Sequence, residues 1–126
     1  MFDHVQIKVS DLKKSRAFYA AVLGTLGHKV VFEIEDVVVG IGNNPHDMFE
    51  ISKVGDETPL SKSVHVAFTA KSQEEAQAFY KVALEHGAKD NGAPGFRDYE
   101  PGYFAAFVID PDGHNLEVVF QDKTKQ

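Results

Sequence analysis

Apolar and polar positions alternate along residues 4–9: Val5, Ile7 and Val9 fall on one side of an extended segment, and His4, Gln6 and Lys8 on the other. The period then changes. Ala17, Phe18, Ala21 and Val22 recur at helical spacing behind Ser10 or Asp11, either of which can cap, so a helix is predicted with that stripe turned inward. The same order returns downstream. Residues 65–70, HVAFTA, are predicted as extended, Ser72 stands at a cap position, and Glu74 and Glu75 suit the positive end of a helix whose stripe is Ala76, Phe79, Val82 and Ala83. Gly27 and Gly87 follow the two helices, where a left-handed residue costs glycine least.

The recurrence is a repeat. At one constant offset, without a gap, His4 aligns with His65, Val5 with Val66, Ile7 with Phe68, Ala17-Phe18-Tyr19 with Ala78-Phe79-Tyr80, and Leu23 with Leu84. Strand-like runs follow each helix: residues 28–34, 36–42 and 47–54 in the first copy, then a weak run at 88–90 and stronger ones at 103–109 and 115–120 in the second. Asp110-Pro111-Asp112-Gly113 joins the last two as a tight turn. Each copy is therefore predicted as βαβββ, within an α+β fold whose sheets curve around a cleft. The first module covers residues 1–57 and the second 58–126, with the polar, Pro59-containing segment 55–63 as the link.

Alternation along the last strand of each module sets Phe49 and Ile51 toward the helix and leaves Glu50 opposite; Leu116, Val118 and Phe120 leave Glu117 opposite. Each module thus offers one histidine from its first strand and one glutamate from its last. His4, Glu50, His65 and Glu117 brought into one cleft would make a ligand set for a divalent transition metal, and a bound cation is one way to offset the cost of an unpaired buried carboxylate. The remaining histidines, His28, His46, His86 and His114, are expected at the surface. Gly40-Ile41-Gly42-Asn43-Asn44 is not a dinucleotide fingerprint, because it lacks a third glycine and a following helix.

Composition narrows the partners. A net charge of −6 opposes nucleic acid and anionic membrane surfaces. With no cysteine, disulfides and thiolate metal sites are excluded. No apolar run approaches the ~20 residues that span a bilayer, and a strand pattern begins at the N-terminus, so a cytoplasmic location is expected.

The doubled βαβββ pattern, the opening DHVQIKVSDLKKSRAFYAAVLG, the second HVAFTA and the closing DPDGHNLEVVF resemble the vicinal oxygen chelate superfamily, which includes glyoxalase I, extradiol dioxygenases, fosfomycin-resistance enzymes and bleomycin-binding proteins. The resemblance covers nearly the whole chain. It implies that His4, Glu50, His65 and Glu117 hold a divalent ion, with Ni, Zn, Mn, Co and Fe as candidates, and that the dioxygenase-type set would be His4, His65 and Glu117 alone. Where glyoxalase I enzymes carry an arginine and an asparagine for glutathione, this chain has Lys8 and Val54, which argues against a glutathione conjugate.

The reaction implied is proton transfer next to a carbonyl on a small molecule with vicinal oxygens. The metal would act as Lewis acid, and Glu50 or Glu117 as general base. Arg97, Tyr99, Tyr103, Lys8 and Phe107 are the expected substrate-binding residues. Two other readings differ in kind: a metal-free cleft that sequesters a ligand, as in the bleomycin-binding relatives, and Fe(II) oxygen chemistry. The resemblance also implies a homodimer, each cleft taking His4 and Glu50 from one chain and His65 and Glu117 from the other; a monomer pairing its own modules is the alternative.

Overall fold

The computed structural model describes residues 1–126 and divides into two compact units, Met1–Lys62 and Ser63–Gln126. In the first, β1 (His4–Val9), α1 (Leu12–Gly24), β2 (Lys29–Ile34), β3 (Val38–Asn44) and β4 (Asp47–Lys53) form a four-stranded sheet of order β1-β4-β3-β2 with one helix. In the second, β5 (His65–Thr69), α2 (Gln73–Glu85), β6 (Lys89–Phe96), β7 (Tyr103–Ile109) and β8 (Asn115–Gln121) repeat the arrangement as β5-β8-β7-β6. In both sheets the first strand runs parallel to the last and the other pairings are antiparallel. Both copies are thus βαβββ, and the fold is α+β as expected. No helix is long and apolar enough to cross a membrane.

The helix caps are those the sequence offers. Asp11 accepts from the Lys14 amide and Ser72 from the Glu75 amide, and Gly27 and Gly87 adopt φ of 87° and 97° behind the helices. The stripe of α1 differs from the expected one. Ser15, Phe18, Tyr19, Val22 and Leu23 are its buried residues, while Ala17 is exposed and Ala21 half-buried. The two aromatic rings occupy the inner arc and rotate the alanines outward, because each ring removes far more apolar area from water than a methyl group does. Phe18 packs edge-on against Tyr19, which in turn meets Phe49 of β4 at a ring separation of 5.2 Å. On α2, Ala76, Phe79 and Ala83 are buried as expected and Val82 is half-buried.

The weak run at 88–90 is the start of a longer strand. β6 extends over eight residues, KDNGAPGF, with register shifts on either side of Gly92. Its glycines and Pro94 lower the strand signal, yet they are tolerable on an edge strand whose ladder is interrupted by bulges. At the Asp110–Gly113 turn, Gly113 has φ of 92° and its amide donates to the Asp110 carbonyl.

His114 corrects an expectation: it is fully buried, at 0% exposure, rather than at the surface. Its backbone amide donates to Asp110 Oδ1, and its ring Nδ1 accepts from the Val64 amide at 3.1 Å. The imidazole thus ties the β7–β8 turn to the residue before β5. His28 is half-buried with Nδ1 unpartnered, and His46 and His86 are exposed.

Candidate functional site: two histidine–glutamate pairs

Strand alternation and register bring one histidine and one glutamate together in each unit. In the first, β1 lies parallel to β4 with Gln6 beside Glu50, and the side chain of His4 reaches along the sheet until Nε2 stands 3.8 Å from Glu50 Oε1. In the second, β5 lies parallel to β8 with Ala67 beside Glu117, and His65 Nε2 is 3.0 Å from Glu117 Oε1. Both glutamates are buried, at 5% and 3% exposure. A buried carboxylate needs hydrogen bonds or a cation.

The two carboxylates are satisfied differently. Gln6 Nε2 donates to Glu50 Oε1 at 3.0 Å, and the Gln6 carbonyl accepts from Ser52 Oγ at 2.8 Å, so a neutral amide holds Glu50 at one oxygen. The repeat places Ala67 where Gln6 stands, and no such amide reaches Glu117. Glu117 instead accepts from His65 at Oε1 and from the Tyr103 hydroxyl at Oε2. Burial together with that carboxylate pushes the Tyr103 phenol up to about 12.

The rows across the two sheets also differ by one strand. In the first unit the row runs Gln6, Glu50, Gly40, Phe32; in the second, Ala67, Glu117, Phe107, Gly92. Each row carries one large ring, on the edge strand in the first and directly beside the glutamate in the second. A Cβ on Gly92 would stand 3.0 Å from the Phe107 ring, whereas one on Gly40 would stand 2.5 Å from Met48 Sδ and 3.3 Å from the Phe32 Cβ. Gly92 makes room for its aromatic neighbour in the row, and Gly40 makes room first for Met48.

Around Glu117 the second unit assembles four of the five expected substrate-binding side chains. Phe107 lies against His65 with ring centroids 6.4 Å apart, and Tyr103 meets Tyr99 edge-on at 5.1 Å. Arg97 folds back over its own strand: Nη1 donates to the Gly95 carbonyl, Nη2 donates to the Ala93 carbonyl, and the guanidinium carbon sits 5.4 Å from the centre of the Phe107 ring. Arg97 and Tyr99 also line an open groove of about 580 Å³, along with Phe96 and Lys125. Lys8 stands apart from this group, on β1, with its backbone amide and carbonyl both bonded to Ser61.

Sequence reasoning did not single out the aspartate before the first histidine. Asp3 Oδ1 accepts from His4 Nδ1 at 2.8 Å and Asp3 Oδ2 from His46 Nδ1 at 3.0 Å. These bonds hold the Asp3 carboxyl below its ordinary value, and the Asp3 bond, reinforced by the charge of Glu50, raises His4. The signal was available as an Asp-His dipeptide opening a strand, but a contact with a loop more than forty residues away cannot be read from spacing.

Within neither unit do three or more His, Asp or Glu side chains cluster to hold a metal. Each pair comes close to half of such a site. Two donors about 2.1 Å from one ion stand about 3.0 to 3.5 Å apart at octahedral to tetrahedral angles; the His65–Glu117 separation of 3.0 Å falls at the edge of that range and the His4–Glu50 separation of 3.8 Å lies just beyond it. Imidazole nitrogen with carboxylate oxygen is a donor set that borderline divalent ions accept.

The model of the Glyoxalase/Bleomycin resistance protein/Dioxygenase superfamily matches residues 1–118. The chain is 30% identical to a glyoxalase/bleomycin resistance protein from Albidiferax ferrireducens, over 97% of this chain and 99% of that one, with a TM-score of 0.83. A glyoxalase/bleomycin resistance protein/dioxygenase family enzyme from Burkholderia phytofirmans PsJN shares the fold at 17% identity, over 95% of this chain and 98% of that one, with a TM-score of 0.74. So does a lactoylglutathione lyase from Agrobacterium tumefaciens, at 16% identity, over 95% and 92% of the two chains, with a TM-score of 0.68. No curated protein matches the chain.

Proposed function

The chain belongs to the Glyoxalase/Bleomycin resistance protein/Dioxygenase superfamily, and we propose that it is a metal-dependent enzyme of glyoxalase type, transferring a proton next to a carbonyl on a small molecule with adjacent oxygens. The observation that carries the proposal is the duplicated pair itself: a histidine nitrogen within 3.8 Å or less of a buried glutamate, once in each unit. A domain that only sequesters an apolar or cationic ligand has no need of an imidazole beside a buried carboxylate at both places.

In this reading His4, Glu50, His65 and Glu117 together hold one divalent ion, and the protein is a homodimer whose sites each take one pair from either chain. The bound ion would polarise a substrate carbonyl and acidify the adjacent C–H. Glu117, anchored at Oε2 by the Tyr103 hydroxyl, stays in place as a ligand once its Oε1 bond to His65 gives way. Glu50 is held by Gln6 at Oε1, and it is the residue that takes the proton and returns it to the neighbouring carbon. Phe107 and Tyr103 flank Glu117, and the open groove beside Tyr99 would receive the substrate's remaining substituent. Lys8 keeps a charge but lacks the planar fork of an arginine, and Val54 offers nothing polar, which favours a small hydroxy-carbonyl compound over a glutathione conjugate.

Hydrogen exchange in heavy water tests this directly. With a divalent metal added, the wild type is expected to exchange the C–H of hydroxyacetone or a related α-hydroxy carbonyl, and Glu50→Gln to lose ~10²-fold or more of that rate. Metal-loaded protein that exchanges none of these compounds would contradict the proposal.

A further inference from the structure

The two imidazoles meet carboxylates through opposite ring nitrogens, and the reason lies in one unrepeated residue. A carboxylate only accepts, so in the neutral ring the 2.8 Å contact with Asp3 Oδ1 favours the proton on His4 Nδ1 and leaves Nε2 with its lone pair. That nitrogen is the one turned toward Glu50, at 3.8 Å, too far for a hydrogen bond. At His65 the carboxylate lies on the other side of the ring: Nε2 donates to Glu117 Oε1 at 3.0 Å.

The repeat separates what is structural at position 3 from what is added. The Asp3 carbonyl accepts from the Met48 amide, and the Val64 carbonyl accepts from the Asn115 amide, so both residues perform the same backbone task beside the first strand. Valine suffices for it. The carboxylate of Asp3 is additional, and His46, donating from Nδ1 to Oδ2, steadies it from the β3–β4 turn.

Resting on the function proposed above, we propose that Asp3 is a positioning residue for His4: it fixes the ring in the Nδ1–H tautomer so that Nε2 is ready to take a metal, and His46 holds Asp3 for that task. His65 has no such partner and must give up its Nε2 proton, and its bond to Glu117, before it can ligate. The first pair is therefore pre-set and the second is not. Carboxylate–imidazole–metal relays of this kind raise the basicity of the ligand and fix its orientation, and their loss costs ~10- to 100-fold in metal affinity.

Long-range nitrogen-15 spectra of the metal-free protein, taken at alkaline pH where the rings are neutral, test the inference independently of any metal. The expected pattern is Nδ1–H at His4 and Nε2–H at His65, with Asp3→Ala moving only His4 to the other tautomer. Zinc titration against a chromophoric chelator should then show ~10- to 100-fold weaker binding by Asp3→Ala and a smaller loss in His46→Ala. A His4 ring protonated at Nε2 in the wild type, or zinc affinity unchanged in Asp3→Ala, would overturn it. If the tautomers behave as stated while the wild type binds no zinc or other divalent ion, the Asp3–His4 link stands and the metal-dependent function falls.

Discussion

At the scale of single residues, the two glutamates occupy equivalent strand positions yet carry different partners, and the difference comes from individual substitutions between the copies. Gln6 became Ala67 in the second unit, and Tyr103 supplies the missing donor from β7. The phenol gives this arrangement a spectroscopic signature. Because its folded value is raised to about 12 from an ordinary value near 10, the proton is held more tightly by the native state. The stability this contributes is fully present below about pH 10 and is lost as pH rises from there toward 12. In an ultraviolet titration of the four tyrosines the late-ionising fraction should therefore shrink by one group in Tyr103→Phe. An undiminished late fraction would show that Tyr103 is not held in its protonated form in this way. The four ligand candidates were legible because strand alternation assigns faces without knowledge of packing. Asp3, Gln6 and Tyr103 were not singled out as their partners, since their roles depend on which strands lie side by side and on how far each side chain reaches.

Among the secondary-structure elements, α1 shows where periodicity stops being informative. Ala17 and Ala21 share helical spacing with Phe18 and Val22, so sequence pattern alone admits them to the stripe, whereas the fold turns Phe18, Tyr19 and Leu23 inward. Unfolding in urea should separate the two stripes. Phe18→Ala is expected to cost ~3–5 kcal/mol through lost burial and the cavity left behind, while Ala17→Ser at its exposed position should stay within about 0.5 kcal/mol. Equal losses at the two positions would contradict the observed phase of the helix. β6 teaches the complementary lesson. Its glycines and proline hid most of an edge strand, yet Gly92 is required there, since φ of 149° and the Phe107 ring 3.0 Å from any added Cβ leave no room for a side chain. The β7–β8 turn, by contrast, was readable from Pro111 and Gly113, whose backbone preferences do not depend on distant contacts.

For the whole molecule, the central feature is that each unit supplies one histidine beside one buried glutamate, the two candidate ligands of the proposed site. A shared site in a homodimer makes a quantitative prediction through mixing. Chains carrying His4→Ala and Glu50→Ala should bind no metal alone, and chains carrying His65→Ala and Glu117→Ala should bind none either. Refolded together in equal amounts, half the dimers are mixed and each regains one of two sites, so about a quarter of the wild-type capacity should return. No recovery in dimers shown to be mixed would mean that both pairs of a site come from one chain. The repeat made the two-module fold visible in the sequence, because an insertion-free match spanning strand, turn and helix leaves little freedom in how each copy folds. Substrate identity was not legible, since it depends on the groove beside Tyr99 and on loops whose shape no periodicity encodes.

Metal content per chain tests the account most directly: elemental analysis of untagged protein purified without chelator, beside Glu50→Gln and His65→Ala. The expected result is about one Ni, Zn, Mn, Co or Fe per wild-type chain and none retained by either variant. Wild-type protein that holds no such ion, even after incubation with each of them, would contradict the four-ligand site and the chemistry built on it.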